Sequence, residues 1–157
     1  MDIIKGERRI GYNKRRKIMY TLTTQQSFDS AHFLAGYNGK CGNIHGHRWR
    51  VILKIKTANL IEEGQQRGMC IDFADVKDDL KKVTDYYDHS FIYEKGTLKE
   101  KTIEALNEEN FRLIEVSFRP TAENFAKHFY DMFVQKGYDV AEVMVYETPN
   151  NCASYCE

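Results

Sequence analysis

The sequence predicts an α+β domain, an antiparallel four-stranded sheet with two helices packed on one face. Three observations lead there. Residues 18–33 and 48–56 alternate apolar and polar side chains and flank a loop of turn formers, which makes a long hairpin. Two later segments repeat apolar residues at three- and four-residue steps, the signature of amphipathic helices. From Val140 the alternation returns, turns at Thr148-Pro149-Asn150-Asn151 and runs on to Cys156 as a second hairpin.

A chain of 157 residues is large enough to bury a full core as one domain, here residues 18–157. Residues 1–17 carry Lys5, Arg8, Arg9, Lys14, Arg15, Arg16 and Lys17 against Asp2 and Glu7, and are expected to form a weakly ordered basic arm. Lysine plus arginine equals aspartate plus glutamate at 23 each, so no global field favours nucleic acid. No apolar stretch reaches the ~20 residues of a membrane span, and no apolar core follows the basic arm as a leader would require. A soluble cytoplasmic protein is expected. Cys41, Cys70, Cys152 and Cys156 lack a disulfide or zinc-knuckle spacing and are expected as free thiols.

In the first strand Ile18, Tyr20, Leu22 and Phe28 share even parity with His32. The loop Ala35-Gly36-Tyr37-Asn38-Gly39-Lys40 reverses the chain into a second strand whose apolar face is Trp49, Val51, Leu53 and Ile55. Arg48, Arg50, Lys54 and Lys56 take the other face, which is read as solvated or lining a water-filled channel. At the entrance to this strand, Cys41-Gly42-Asn43-Ile44-His45-Gly46-His47 places two imidazoles at a two-residue step, so both point the same way, with Gly46 clearing the opposite side. The hairpin brings His32 to the same end.

Asp72 caps a helix whose buried stripe is Phe73, Val76, Leu80, Val83 and Tyr87. It runs out at Asp88-His89, where a histidine suits the negative end of the helix dipole. Residues 94–110 are charged and irregular, with a short helix around residues 102–109, and residues 112–118 form a short extended segment. Thr121 caps the second long helix, with Ala122, Phe125, Phe129, Met132 and Phe133 buried and Gly137 as its stop. His128 lies one step off that stripe, at an edge. Glu147 shares parity with Val143 and Val145, and a carboxylate carried inward there needs a partner.

Three histidines can hold zinc with a coordination position left open for chemistry. His32, His45 and His47 are the candidates. The spacing leaves a second arrangement open, a closed structural site in which Cys41 is the fourth ligand.

The motifs Phe28-Asp29-Ser30-Ala31-His32, Gly39-Lys40-Cys41-Gly42-Asn43-Ile44-His45-Gly46-His47, Gly68-Met69-Cys70-Ile71-Asp72-Phe73, Asp88-His89, Pro120-Thr121-Ala122-Glu123-Asn124 and Glu147-Thr148, in this order, resemble the 6-pyruvoyltetrahydropterin synthase/6-carboxytetrahydropterin synthase family. The resemblance implies zinc on His32, His45 and His47, Cys41 as the proton-transferring thiol, and Asp88 with His89 completing a Cys-His-Asp relay. A free thiol titrates near ~8.5, and a carboxylate-held histidine can draw off its proton. Glu147 then resembles the pterin anchor, with Glu123 and Thr121 assisting.

The implied fold is the tunnelling fold, which closes into a barrel as a homotrimer or as a homohexamer of two stacked trimers, with the active site at a subunit boundary. The implied substrate is 7,8-dihydroneopterin triphosphate. The three-residue interval between Cys41 and His45 resembles the carboxy branch. That branch makes 6-carboxy-5,6,7,8-tetrahydropterin, acetaldehyde and triphosphate on the way to queuosine and other deazapurines. The pyruvoyl branch, which eliminates triphosphate without cleaving the side chain, is the alternative; a non-catalytic zinc-stabilised binding module is the alternative from another class. Departures from the family pattern are the basic arm, Cys70, residues 94–110, and Arg119 where asparagine is frequent.

Overall fold

The computed structural model describes residues 19–157. The proposed basic arm lies outside them. The elements are β1 (Tyr20–His32), β2 (His45–Thr57), α1 (Phe73–Tyr87), β3 (Ser90–Glu94), α2 (Glu100–Glu108), β4 (Leu113–Val116), α3 (Ala122–Gln135), β5 (Val140–Thr148) and β6 (Asn151–Tyr155).

The sheet has six strands in the order β4-β3-β1-β2-β5-β6, not the four expected, and three helices accompany it. It is also mixed. β1, β2, β5 and β6 pair antiparallel in the two expected hairpins, while β3 runs parallel to β1 and β4 parallel to β3. The extra strands come from the segments on either side of α2, and α2 itself contributes no buried residue. β3 pairs with β1 only at Ser30, Ala31 and His32. Among the described residues, positions 20–29 of β1 therefore have no strand neighbour on that side.

The core lies between the sheet and the helices α1 and α3. Trp49, Val51, Leu53 and Ile55 of β2 bury their predicted face, joined by Val140, Val143 and Val145 of β5. Phe28 stacks on Trp49 with ring centroids 6.1 Å apart, and Phe125 and Phe129 of α3 close over both from the helix side. Val76, Leu80, Val83 and Tyr87 are buried as expected, but Phe73 is 54% exposed because it sits in the first turn of α1, beyond the edge of the core.

Both predicted caps are present. The Asp72 carboxylate accepts from the Ala74 amide at 2.8 Å, and the Thr121 hydroxyl accepts from the Asn124 amide at 3.4 Å. α3 stops where Gly137 takes φ 94°, so that the Gly137 amide bonds to the Val134 carbonyl and the Tyr138 amide to the Phe133 carbonyl.

The basic side chains of β2 on the far face are matched rather than free. Lys54 bonds to Glu142 at 2.7 Å, Lys56 lies 3.8 Å from Asp139, Arg48 lies 3.8 Å from Asp29, and Arg50 stands 4.0 Å over the Tyr146 ring. Among the described residues no helix is long and apolar enough to cross a membrane.

Candidate active site

The β1–β2 register sets the site. His32 stands directly opposite His45, and Ser30 opposite His47, so the three imidazoles are one cross-strand pair plus its diagonal neighbour. Their ligand atoms all lie within 4.8 Å of one another. His32 is fully buried, and its Nδ1 lies 2.7 Å from the Pro120 carbonyl. A carbonyl only accepts, so Nδ1 carries the proton and Nε2 the lone pair. The same reasoning applies to His45, whose Nδ1 donates to the Asn43 carbonyl at 2.8 Å.

The two lone-pair nitrogens then face each other, Nε2 to Nε2, at 3.1 Å. The buried Nε2 of His47 has no hydrogen-bond partner. Nitrogens turned inward and held from behind by carbonyls suit a cation between them. Burial, chiefly, pushes the His32 imidazole down to about 4, with His45 and His47 adding to the effect, so at neutral pH it is uncharged, the form a metal ligand requires. His47 is lowered too, again by burial first, although Glu147 opposes the shift.

Glu147 enters this centre from the end of β5. One of its carboxylate oxygens lies 3.5 Å from His32 Nε2 and 3.6 Å from His47 Nε2. It also lines a cavity of ≈ 280 Å³ together with Cys41, Thr121 and Glu123. Thus the thiol, both candidate carboxylates and the helix-capping threonine line one cavity, and Glu147 connects it to the imidazoles. Cys41 is half-buried and sits in a short 3-10 turn, Lys40–Gly42, tied back by the bond from the Leu34 amide to the Cys41 carbonyl at 2.8 Å. Gly42 is required there, since an added Cβ would stand 2.6 Å from the Tyr37 carbonyl oxygen. Gly46 is not required sterically: its Cβ would meet the Ser30 carbonyl at an ordinary 3.5 Å.

Asp88 and His89 form a pair at the end of α1, His89 Nδ1 donating to Asp88 Oδ2 at 2.7 Å. β1 fixes the pair through backbone: the Asp29 amide donates to Asp88 Oδ1 at 2.8 Å, and the His89 amide donates to the Asp29 carbonyl at 2.7 Å. That amide bond, reinforced by His89, holds the Asp88 carboxyl below the usual range. His89 adopts φ 52°, a left-handed conformation uncommon for a side chain other than glycine. It lines a second, apolar cavity of ≈ 700 Å³ with Asp29, His47, Phe91, Leu106 and Phe111, a cavity that Cys41 does not line.

Sequence reasoning did not find the carbonyls of Pro120 and Asn43 or the backbone of Asp29, because main-chain atoms leave no residue-type signal. His128 is half-buried, its Nε2 hydrogen-bonded to the Tyr87 hydroxyl at 2.8 Å, and it is not part of the imidazole cluster.

A three-imidazole cluster of the kind that can hold a metal, carried on paired strands of a mixed sheet covered by helices, defines an α+β protein with a candidate centre at the end of its first hairpin. The chain belongs to the 6-pyruvoyl tetrahydropterin synthase family, whose model matches residues 21–157. It is 34% identical over 142 residues to a 6-carboxy-5,6,7,8-tetrahydropterin synthase from Haemophilus influenzae, covering 88% of this chain and 100% of that one. A protein of the same name from Rickettsia felis is 34% identical over 138 residues, 84% of this chain and 96% of the relative. The fold is shared with the 6-pyruvoyl tetrahydropterin synthase of Caenorhabditis elegans, at a TM-score of 0.61 and 24% identity over 90% of this chain and 98% of that structure.

Proposed function

We propose that the protein converts 7,8-dihydroneopterin triphosphate and water to 6-carboxy-5,6,7,8-tetrahydropterin, acetaldehyde and triphosphate, with zinc on His32, His45 and His47, as a step toward queuosine and other deazapurines. The observation that carries the reading is the meeting of Cys41, Thr121, Glu123 and Glu147 on one cavity, with the Glu147 carboxylate also reaching the three-imidazole cluster. The likeness to the Haemophilus influenzae and Rickettsia felis proteins supports the carboxy branch.

In this reading the Glu147 carboxylate accepts from the amino-pyrimidinone edge of the pterin, and Glu123 and Thr121 steady the ring. Cys41 takes a proton from the side-chain carbon nearest the ring. His89, oriented by Asp88, draws the thiol proton beforehand and returns a proton later. When bound, zinc supplies electrostatic stabilisation to the side-chain oxygens as their charge grows.

In this reading the relay is completed between chains, in a homotrimer or homohexamer, which accords with His89 and Cys41 lining different cavities of one chain. The strand-free edge along residues 20–29 and the outer edge of β6 support barrel closure by neighbouring copies. Mass spectrometry of the products tests the reaction. Acetaldehyde and 6-carboxytetrahydropterin are expected; 6-pyruvoyltetrahydropterin alone would assign the chain to the sibling branch.

A further inference from the structure

α1 ends with a defect that its own sequence does not repair. A helix leaves its last carbonyls without intrahelical donors and carries partial negative charge there. α1 has no basic residue in its last turn. The chain after it must also enter the left-handed conformation of His89, which persists only when surrounding bonds over-determine it. Ser90 Oγ donates to the Tyr87 carbonyl at 2.6 Å and supplies part of that restraint.

The rest comes from Arg112, which residues 94–112 deliver to the start of β4. One guanidinium nitrogen, Nη2, donates to the Tyr86 carbonyl at 2.6 Å, and the other, Nη1, reaches the Asp88 carbonyl at 3.4 Å. The fork therefore spans the helix end on both sides of its last residue. The guanidinium lies 5.9 Å from the centre of the Tyr86 ring, and the Arg112 carbonyl accepts from the Phe91 amide at 2.9 Å. Side chain and backbone of this residue thus grip the chain before and after His89. Arg112 and His89 also line the same apolar cavity.

We infer that Arg112 is a positioning residue for the Asp88–His89 pair, setting the direction in which the imidazole leaves the sheet. Residues 94–110, charged and silent in the sequence, then have a purpose: they carry a cation across to the end of α1. The inference rests on the relay reading of His89 given above.

A double-mutant cycle on the metal-loaded enzyme tests it, using Arg112→Ala, His89→Ala and both together, with Arg112→Lys as the conservative variant. Displacing a catalytic group by a fraction of its reach costs up to roughly 100-fold in turnover. Arg112→Ala is expected to lower kcat roughly 10- to 100-fold with KM and bound metal unchanged, and Arg112→Lys to recover part of the loss. In the His89→Ala background the Arg112→Ala loss should disappear, since no imidazole is left to aim. A loss of equal size in both backgrounds overturns the inference, as does an unchanged kcat in Arg112→Ala. Should Arg112→Ala not fold, Arg112→Gln enters the cycle on the same criteria. Wild-type turnover in His89→Ala would sink the relay and this inference with it, whereas a dead His89→Ala beside a fully active Arg112→Ala sinks this inference alone.

Discussion

His32 and His45 face each other across the first hairpin, Nε2 to Nε2 at 3.1 Å, each held from behind by a main-chain carbonyl on its Nδ1. Two fixed lone pairs at that separation repel unless a cation lies between them. Replacing either residue by alanine should therefore empty the site rather than weaken it slightly. The measurement is zinc per chain after gel filtration, by elemental mass spectrometry. Retention of the full wild-type complement in His32→Ala would show that the cluster is not the metal centre.

Glu147 lies 3.5 Å from His32 Nε2 and lines the cavity with Cys41, so it touches both halves of the proposed chemistry. A hydrogen bond to a charged partner is worth about 1.5–3 kcal/mol. If Glu147 anchors the pterin, Glu147→Gln should raise KM by roughly 10- to 100-fold on that figure while bound zinc stays at the wild-type level. Loss of zinc instead would make the carboxylate a ligand.

The loop before the imidazoles offers a steric test. An alanine at Gly42 would place Cβ 2.6 Å from the Tyr37 carbonyl oxygen, closer than carbon and oxygen approach without a shift of backbone. Gly42→Ala should destabilise the fold by about 1–3 kcal/mol, the usual range for overpacking, and lower kcat by displacing Cys41. Gly46→Ala, with an ordinary 3.5 Å contact, should leave thermal stability close to wild type. Denaturant melts of the two variants side by side check the contrast.

Much of this arrangement was legible in the residues, and what was not has a physical cause. Period-two alternation marked β1, β2 and β5 and the turn at residues 148–151 marked β6; parity aligned His45 with His47, and the hairpin brought His32 to the same end. β3 escaped because Phe91, Ile92 and Tyr93 form a continuous apolar run, as strands covered on both sides do. The short β4 was seen only as an extended segment, and its parallel pairing with β3 depends on contacts far apart in sequence. In the candidate site, residue types pointed to the three imidazoles, while the thiol and the Asp88–His89 pair came from the resemblance to the family. The groups that orient them are carbonyls and amides of Pro120, Asn43 and Asp29, which every sequence possesses. The left-handed His89 was equally silent, because positive φ is signalled by glycine and here glycine is absent.

Asp79 gives a prediction in pH. The Tyr138 hydroxyl donates to its Oδ2 at 2.9 Å, and this bond, helped by Lys136 and Lys82, holds the carboxyl below its ordinary value. A depressed carboxylate stabilises the fold above its unfolded pKa of ~3.9, and the contribution is lost as pH falls through the lower folded value. Asp79→Asn should therefore lower Tm clearly at pH ~7 and much less at pH ~3. An equal drop at both values would show that the tyrosine bond acts independently of charge.

The division of labour inside Cys41-Gly42-Asn43-Ile44-His45-Gly46-His47 is the centre of the account: imidazoles for the metal, the thiol for proton transfer. Zinc content measured together with turnover in Cys41→Ser tests it most directly. The account predicts zinc at the wild-type level with acetaldehyde release abolished. Zinc lost along with turnover would make Cys41 the fourth ligand of the metal and contradict its assignment as the proton-transferring thiol.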